Sequence, residues 1–216
     1  MLWNWEKNTK MYKEKIVIKV GTNVMTNKDN RIVRPVLREL VRQIAELYER
    51  DIMTILVSSG SVIAGKEVLG ESNIENRTQK RQVYSAIGQP RMMRLYYKIF
   101  HDFGMKCAQV LPTKRDFSPG IHRQNMINCC MGLLSEGVIP IANEDDAVSV
   151  TMSMFSDNDE LASLIAQLLD VDKLIILTDI DGLYTGHPEE VNSNLIKNVN
   201  PNEDLDKYIQ DNNKAE

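Results

Sequence analysis

Long apolar runs are missing from this chain. The opening residues 1–14 contain Trp3, Trp5 and Lys7 but no hydrophobic stretch of the length that a signal peptide or membrane span requires. A basic excess is missing as well. With 26 Lys and Arg against 30 Asp and Glu, the net charge is -4 and the pI is near 5.5, so the chain lacks the basic face with which general nucleic-acid binders displace counterions. Cysteine is scarce: Cys107, Cys129 and Cys130 are odd in number and lack metal-ligand spacing. Buried free thiols in a reducing cytosol are the expectation. His101, His122 and His187 stand apart and compose no metal set. No glycine-x-glycine-x-x-glycine turn follows the first apolar run, which argues against a nicotinamide-dependent dehydrogenase. Neither an internal repeat nor a low-complexity linker divides the chain. What remains is a soluble cytoplasmic protein with no nucleic-acid or membrane partner, whose 216 residues, 43% of them hydrophobic, suffice for one sizeable α/β core.

The apolar residues that are present fall into two periods. Residues 16–20, 53–57, 106–111, 138–142 and 174–177 are short apolar runs of strand length. Between them, helical spacing runs from Val36 to Tyr48 behind Pro35, through a short segment ending near Val68 with Gly70 as cap, and over residues 121–135 and 161–169. Residues 77–103 are helical too, with a break expected at Gly88-Gln89-Pro90. Residues 148–155 read as a hairpin or short strand, and beyond Glu189 few apolar residues remain and no further strand is expected. Strands alternating with helices predict a mostly parallel sheet flanked by helices on both faces, an αβα sandwich. Four of its strands end in small donors or carboxylates: Gly21-Thr22-Asn23, Ser58-Ser59-Gly60, residues 143–146, and Thr178-Asp179. Ligands of open α/β sheets bind along that carboxyl edge, so these residues should converge there.

Each candidate has a plainer explanation beside the functional one. Lys19 interrupts a β-branched run, so its ammonium either snorkels past the strand end or meets an anion. Gly21 permits close backbone approach, and Thr22 and Asn23 offer donors. Residues 58–61 can cradle a carboxylate or phosphate at a helix start, or be an ordinary serine cap. Asp157 with Glu160 spells a capping box, which leaves Asn158 and Asp159 for other work, such as orienting a lysine. Adjacent Asp145 and Asp146 call for a cation between them or for screening water in a solvated loop. Asp179 and Asp181 flank Ile180 without continuing into a calcium loop, which favours a turn at a nucleotide pocket.

Taken in order, Lys19-Val20-Gly21-Thr22-Asn23, Ser58-Ser59-Gly60, Asn143-Glu144-Asp145-Asp146-Ala147-Val148, Asp157-Asn158-Asp159, and Thr178-Asp179 followed by Gly182-Leu183-Tyr184-Thr185 resemble the glutamate 5-kinase branch of the amino acid kinase superfamily. Ala86-Ile87-Gly88-Gln89 is also similar to that branch. The resemblance implies ATP-dependent phosphorylation of the side-chain carboxylate of L-glutamate, with Mg²⁺, as the first step towards proline. It implies that Lys19 contacts the transferring phosphate and that Gly21, Thr22, Thr178 and Asp179 hold the nucleotide. By the same likeness Ser59, Asp146 and Asn158 hold glutamate and Asp159 orients the catalytic lysine, with no metal-ligating side chains assigned. A homo-oligomer and inhibition by proline are further family expectations. The implied organisation is an extension over residues 1–14, a kinase-like domain over 15–188 and a polar segment over 189–216, beyond which the family continues into a glycine-rich loop with a second lysine. The chain departs from the pattern at Asp145, where asparagine is common, and over residues 116–125. An acetylglutamate kinase, another superfamily kinase, or a non-catalytic glutamate or proline sensor are the alternatives.

Overall fold

The computed structural model describes residues 12–144, 147, 158–187, 189–190 and 192–200. The expectations for Asp145, Asp146 and Asp157 and for a hairpin over 148–155 therefore lie outside the described residues. Packing divides the chain into two units, Met1–Leu177 and Thr178–Glu216.

In the first unit, β1 (Glu14–Val20), β2 (Ile52–Ser58), β3 (Lys106–Val110), β4 (Val138–Ala142) and β5 (Lys173–Leu177) form one sheet in the order β3-β4-β2-β1-β5. Every pairing in it is parallel, as the alternation of strands with helices predicts. Successive side chains of a strand point to opposite faces, and here both faces are covered. Ile16, Ile18 and Val20 join Leu56, Ile139 and Ile141 in a core with Leu37, Val41 and Ile44 of α2 (Arg34–Glu49) and Met92, Tyr96 and Phe100 of α4 (Arg77–Asp102). Val17, Ile55 and Val57 face the other way, onto Cys130 and Leu134 of α5 (Ile121–Ser135) and Leu161 and Ile165 of α6 (Asn158–Leu168). Two residues beyond Val17, Lys19 belongs to the same face as α6. The β-branched run that Lys19 interrupts is thus a central strand, and the lysine sits at its carboxyl end.

Thr54 in the middle of β2 is fully buried, and its Oγ1 has no hydrogen-bond partner among the described residues. A buried hydroxyl without a partner opposes folding. Thr54→Val, which keeps the shape, is expected to raise stability by about 1 kcal/mol. Urea unfolding checks this, and a lower midpoint would mean that the hydroxyl is bonded in solution.

Two local expectations give way. The break expected at Gly88-Gln89-Pro90 does not occur, because α4 runs unbroken through Pro90. Proline removes one bond to the carbonyl four residues earlier, but Ala86 and Pro90 are both exposed, so solvent can hydrate the freed carbonyl. The buried residues from Met92 to Phe100 then hold the helix on. The serine cap is not there either. The short helices α1 (Thr22–Met25) and α3 (Ser61–Leu69) start from Gly21 and Gly60, and no side chain caps either one. Gly60 has φ 99°, a left-handed conformation that disfavours residues with a Cβ. Cys107 and Cys130 are buried as expected, and burial pushes both thiols up to about 12. Cys129 departs from expectation and is exposed.

In the second unit, β6 (Leu183–Tyr184) and β7 (Leu195–Ile196) pair antiparallel. This corrects the expectation of no strand beyond Glu189. A two-residue ribbon needs no apolar run, only backbone pairing, which Thr185 N to Asn194 O at 3.0 Å extends. No described helix is long and apolar enough to cross a membrane.

Candidate active site

The carboxyl ends of β1, β2 and β4 stay hydrogen-bonded one residue past the sheet proper. Gly21 N donates to Leu177 O at 3.1 Å, Ser59 N to Val20 O at 3.2 Å, and Asn143 N to Val110 O at 3.2 Å. These bonds fix Gly21, Ser59 and Asn143 on one rim, although they come from distant parts of the chain.

Lys19 reaches that rim on the α6 face. Its Nζ lies 2.6 Å from Asp159 Oδ1, with the lysine side chain 11% exposed and the aspartate 43%. The open question of snorkelling or pairing is settled in favour of pairing. A nearly enclosed ammonium needs an anion, and a carboxylate in the first turn of α6 supplies it where the helix dipole also favours negative charge. The backbone closes around the lysine. A Cβ added at Gly21 would lie 3.5 Å from Lys19 Nζ and 3.4 Å from Leu177 O, ordinary contact distances that place the ammonium directly against this backbone. Thr22, the next residue, opens α1.

Beside the ion pair runs a chain of amides. Asn158 Nδ2 donates to Ser59 Oγ at 2.7 Å and to Asn143 Oδ1 at 3.1 Å. Asn143 Nδ2 in turn donates to Gln89 Oε1 at 2.8 Å. Asn143 is buried, and Asn158 Oδ1 is buried with no hydrogen-bond partner among the described residues. A buried acceptor left open at a rim of donors is suited to an incoming N–H. Underneath, Ser58 Oγ lies 2.7 Å from the Tyr96 hydroxyl in the core, where burial raises the phenol's pKa.

Of the residues singled out in the sequence, Lys19, Gly21, Ser59, Asn158 and Asp159 come together here, with Thr22 directly after Gly21. Asp146 is outside the described residues. Thr178 and Asp179 open the second unit, where Thr178 Oγ1 donates to Asp179 Oδ1 at 3.4 Å. Glu160 pairs with Lys114 at 3.4 Å, while the capping box read from Asp157 and Glu160 turns on Asp157, which lies outside the described residues. Asp116 makes a capping box, receiving Thr113 N at 2.7 Å at the start of a 3-10 turn, Lys114–Phe117. Gln89 was missed as part of the site, since a glutamine beside a proline reads as a helix break. Among the described residues no group of three or more His, Cys, Asp or Glu could hold a metal ion.

A paired lysine and aspartate, small donors and an open amide acceptor along the carboxyl edge of a parallel sheet suit small anionic ligands. The family comparisons agree. The model of the amino acid kinase family matches residues 14–215. Glutamate 5-kinase of Bacteroides thetaiotaomicron is 41% identical over 196 residues, 91% of this chain and 54% of the relative. That of Chlorobaculum tepidum is 40% identical over 197 residues, again 91% and 54%. The glutamate 5-kinase of Alkaliphilus metalliredigens is 40% identical over 187 residues, 86% of this chain and 71% of the relative. The chain thus spans about half the length of the first two relatives. A match across nearly all of the parallel sheet, joined to the rim described above, makes this chain a member of the amino acid kinase family.

Proposed function

We propose that this chain carries the glutamate-binding and phosphate-facing elements of an enzyme that phosphorylates the side-chain carboxylate of L-glutamate with ATP, giving glutamyl 5-phosphate, the first step of proline biosynthesis. The observation that carries this reading is the Lys19–Asp159 pair at 2.6 Å beside Ser59 and Asn158, in a chain whose relatives at about 40% identity are named glutamate 5-kinase.

The chemistry asks little of side-chain nucleophiles. A glutamate carboxylate oxygen is already ionised at neutral pH, so it attacks the γ-phosphorus directly; an O–P bond forms, the bond to the leaving ADP oxygen breaks, and no proton moves. The protein's work is to align two anions and to neutralise charge that builds up on the phosphoryl oxygens. In this reading Lys19 faces the transferring phosphate and Asp159 holds its ammonium in line. Gly21 and Thr22 approach the nucleotide phosphates, Ser59, Asn158 and Asp146 hold glutamate, and Thr178 and Asp179 contact the nucleotide. Magnesium would enter as a companion of the nucleotide, since no group of three or more His, Cys, Asp or Glu among the described residues could hold it, and it would supply further charge neutralisation at the phosphates. The family likeness also supports a cytoplasmic homo-oligomer that responds to proline.

Trapping the acyl phosphate tests the reaction. Incubated with MgATP, glutamate and hydroxylamine, the protein is expected to yield hydroxamate from glutamate and none from acetylglutamate or aspartate. Yield from acetylglutamate alone would move the assignment to another kinase of the family. Glutamate binding without any hydroxamate would make this chain a binding module.

A further inference from the structure

The geometry points to Gln89 as a positioning residue. By anchoring the amide chain Gln89, Asn143, Asn158 at its far end, it holds the open Asn158 oxygen in place for the α-ammonium of an amino-acid substrate. This rests on the glutamate reading above.

Three primary amides linked head to tail have only two self-consistent directions, because each link must set an N–H against an oxygen. Turning one amide alone would set two oxygens, or two NH₂ groups, face to face, so all three turn together or none does. In the direction observed, Asn158 spends both Nδ2 hydrogens, on Ser59 Oγ at 2.7 Å and on Asn143 Oδ1 at 3.1 Å. Its Oδ1 is left buried and open. Ser59 Oγ is already an acceptor, which leaves its hydrogen to donate outward. An acceptor beside a donor matches the ammonium and carboxylate of a zwitterion. The reversed direction would instead offer an NH₂ group to an ammonium.

Gln89 ends the chain, its Oε1 accepting from Asn143 Nδ2 at 2.8 Å. It projects from α4 at the residue after Gly88, where that helix lies against α3, so its place is set by helix packing and not by the rim. Gln89 shares no hydrogen bond with Ser59, and its influence there has to pass through both asparagines.

The test is calorimetric binding to the 216-residue chain of L-glutamate and of glutarate, which keeps both carboxylates and lacks the ammonium. Gln89→Met keeps the length of the side chain and removes the anchor. It is expected to weaken glutamate on the order of tenfold, the scale of one hydrogen bond to a charged group, while glutarate changes by less than about twofold. A helix that had merely loosened would weaken both ligands alike, and equal losses would overturn the proposal. In an Asn158→Ala background, Gln89→Met is expected to cost glutamate less than about threefold, since Gln89 acts through Asn158. Losses that multiply independently would likewise overturn it. Wild-type protein that binds no glutamate would sink the glutamate reading itself, an outcome distinct from an indifferent Gln89→Met.

Discussion

Lys19→Met is expected to lower the rate of glutamyl phosphate formation by about 10²-fold or more, the usual scale for removing one preorganised charge from a transition state, while the fold stays intact. The two halves of this expectation have separate causes. In the folded chain the ammonium is nearly enclosed, whereas its partner Asp159 is close to half exposed. Removing the lysine therefore leaves a carboxylate side chain that is close to half exposed, which keeps the cost small. The substituted thioether meanwhile fits a strand position next to apolar neighbours on β2 and β5. The urea unfolding free energy should stay within about 1 kcal/mol of wild type. Lys19→Arg is expected to fail as well, because the rigid guanidinium fork does not reproduce a point charge held against the Gly21 backbone. Hydroxamate formation measured beside unfolding separates the effects. A variant that folds and keeps its rate would remove Lys19 from the phosphoryl step.

Much of this site was legible in the sequence because parallel sheets make their carboxyl edge a predictable place. Lys19, Gly21 and Ser59 lie at or just past the end of an apolar run and Asn158 just ahead of one, and runs of strand length separated by amphipathic helices leave few topologies. Helix α5 was readable to its ends, Ile121 and Ser135, since Gly120 and Gly137 bracket it. What the sequence hid was contact between residues distant in the chain. Gln89 and Asn143 are 54 positions apart and Ser59 and Asn158 are 99 apart, and no periodicity marks such pairs. Pro90 misled for a related reason. Its local penalty is real, but the sequence does not reveal that Ala86 and Pro90 are exposed or how strongly the next turns are anchored. The pair of Glu160 with Lys114 is another such contact, joining residues 46 positions apart that no local motif connects.

Gly88→Ala is expected to destabilise the protein by about 3 kcal/mol or more, the upper range for overpacking a closed interface, although alanine is the better helix former. The gain in helix propensity from such a change is only about 1 kcal/mol. Against it stands a steric conflict that no rotamer relieves. A Cβ at Gly88 would lie 1.7 Å from Ser61 O and 2.4 Å from Gly65 N, both backbone atoms of α3. The reciprocal position is as tight, since a Cβ at Gly65 would lie 1.8 Å from Tyr84 O on α4. Each helix thus uses a glycine to admit the backbone of the other, and relief requires moving one whole helix by an ångström or more. At roughly 2–4 °C per kcal/mol for a chain of this size, melting should fall by about 6–12 °C. Gly132→Ala on α5, where an added Cβ meets nothing within 4 Å, is the control. It is expected to be neutral or to stabilise by about 0.5–1 kcal/mol. The damage at Gly88 should also reach the rim, because Ser61 lies two residues after Ser59 and Gln89 immediately follows Gly88. A displaced α4 would pull Gln89 Oε1 away from Asn143, and glutamate binding should weaken at temperatures where the variant is still folded. A Gly88→Ala protein that melts within 2 °C of wild type would show that α3 and α4 are farther apart in solution than these distances require.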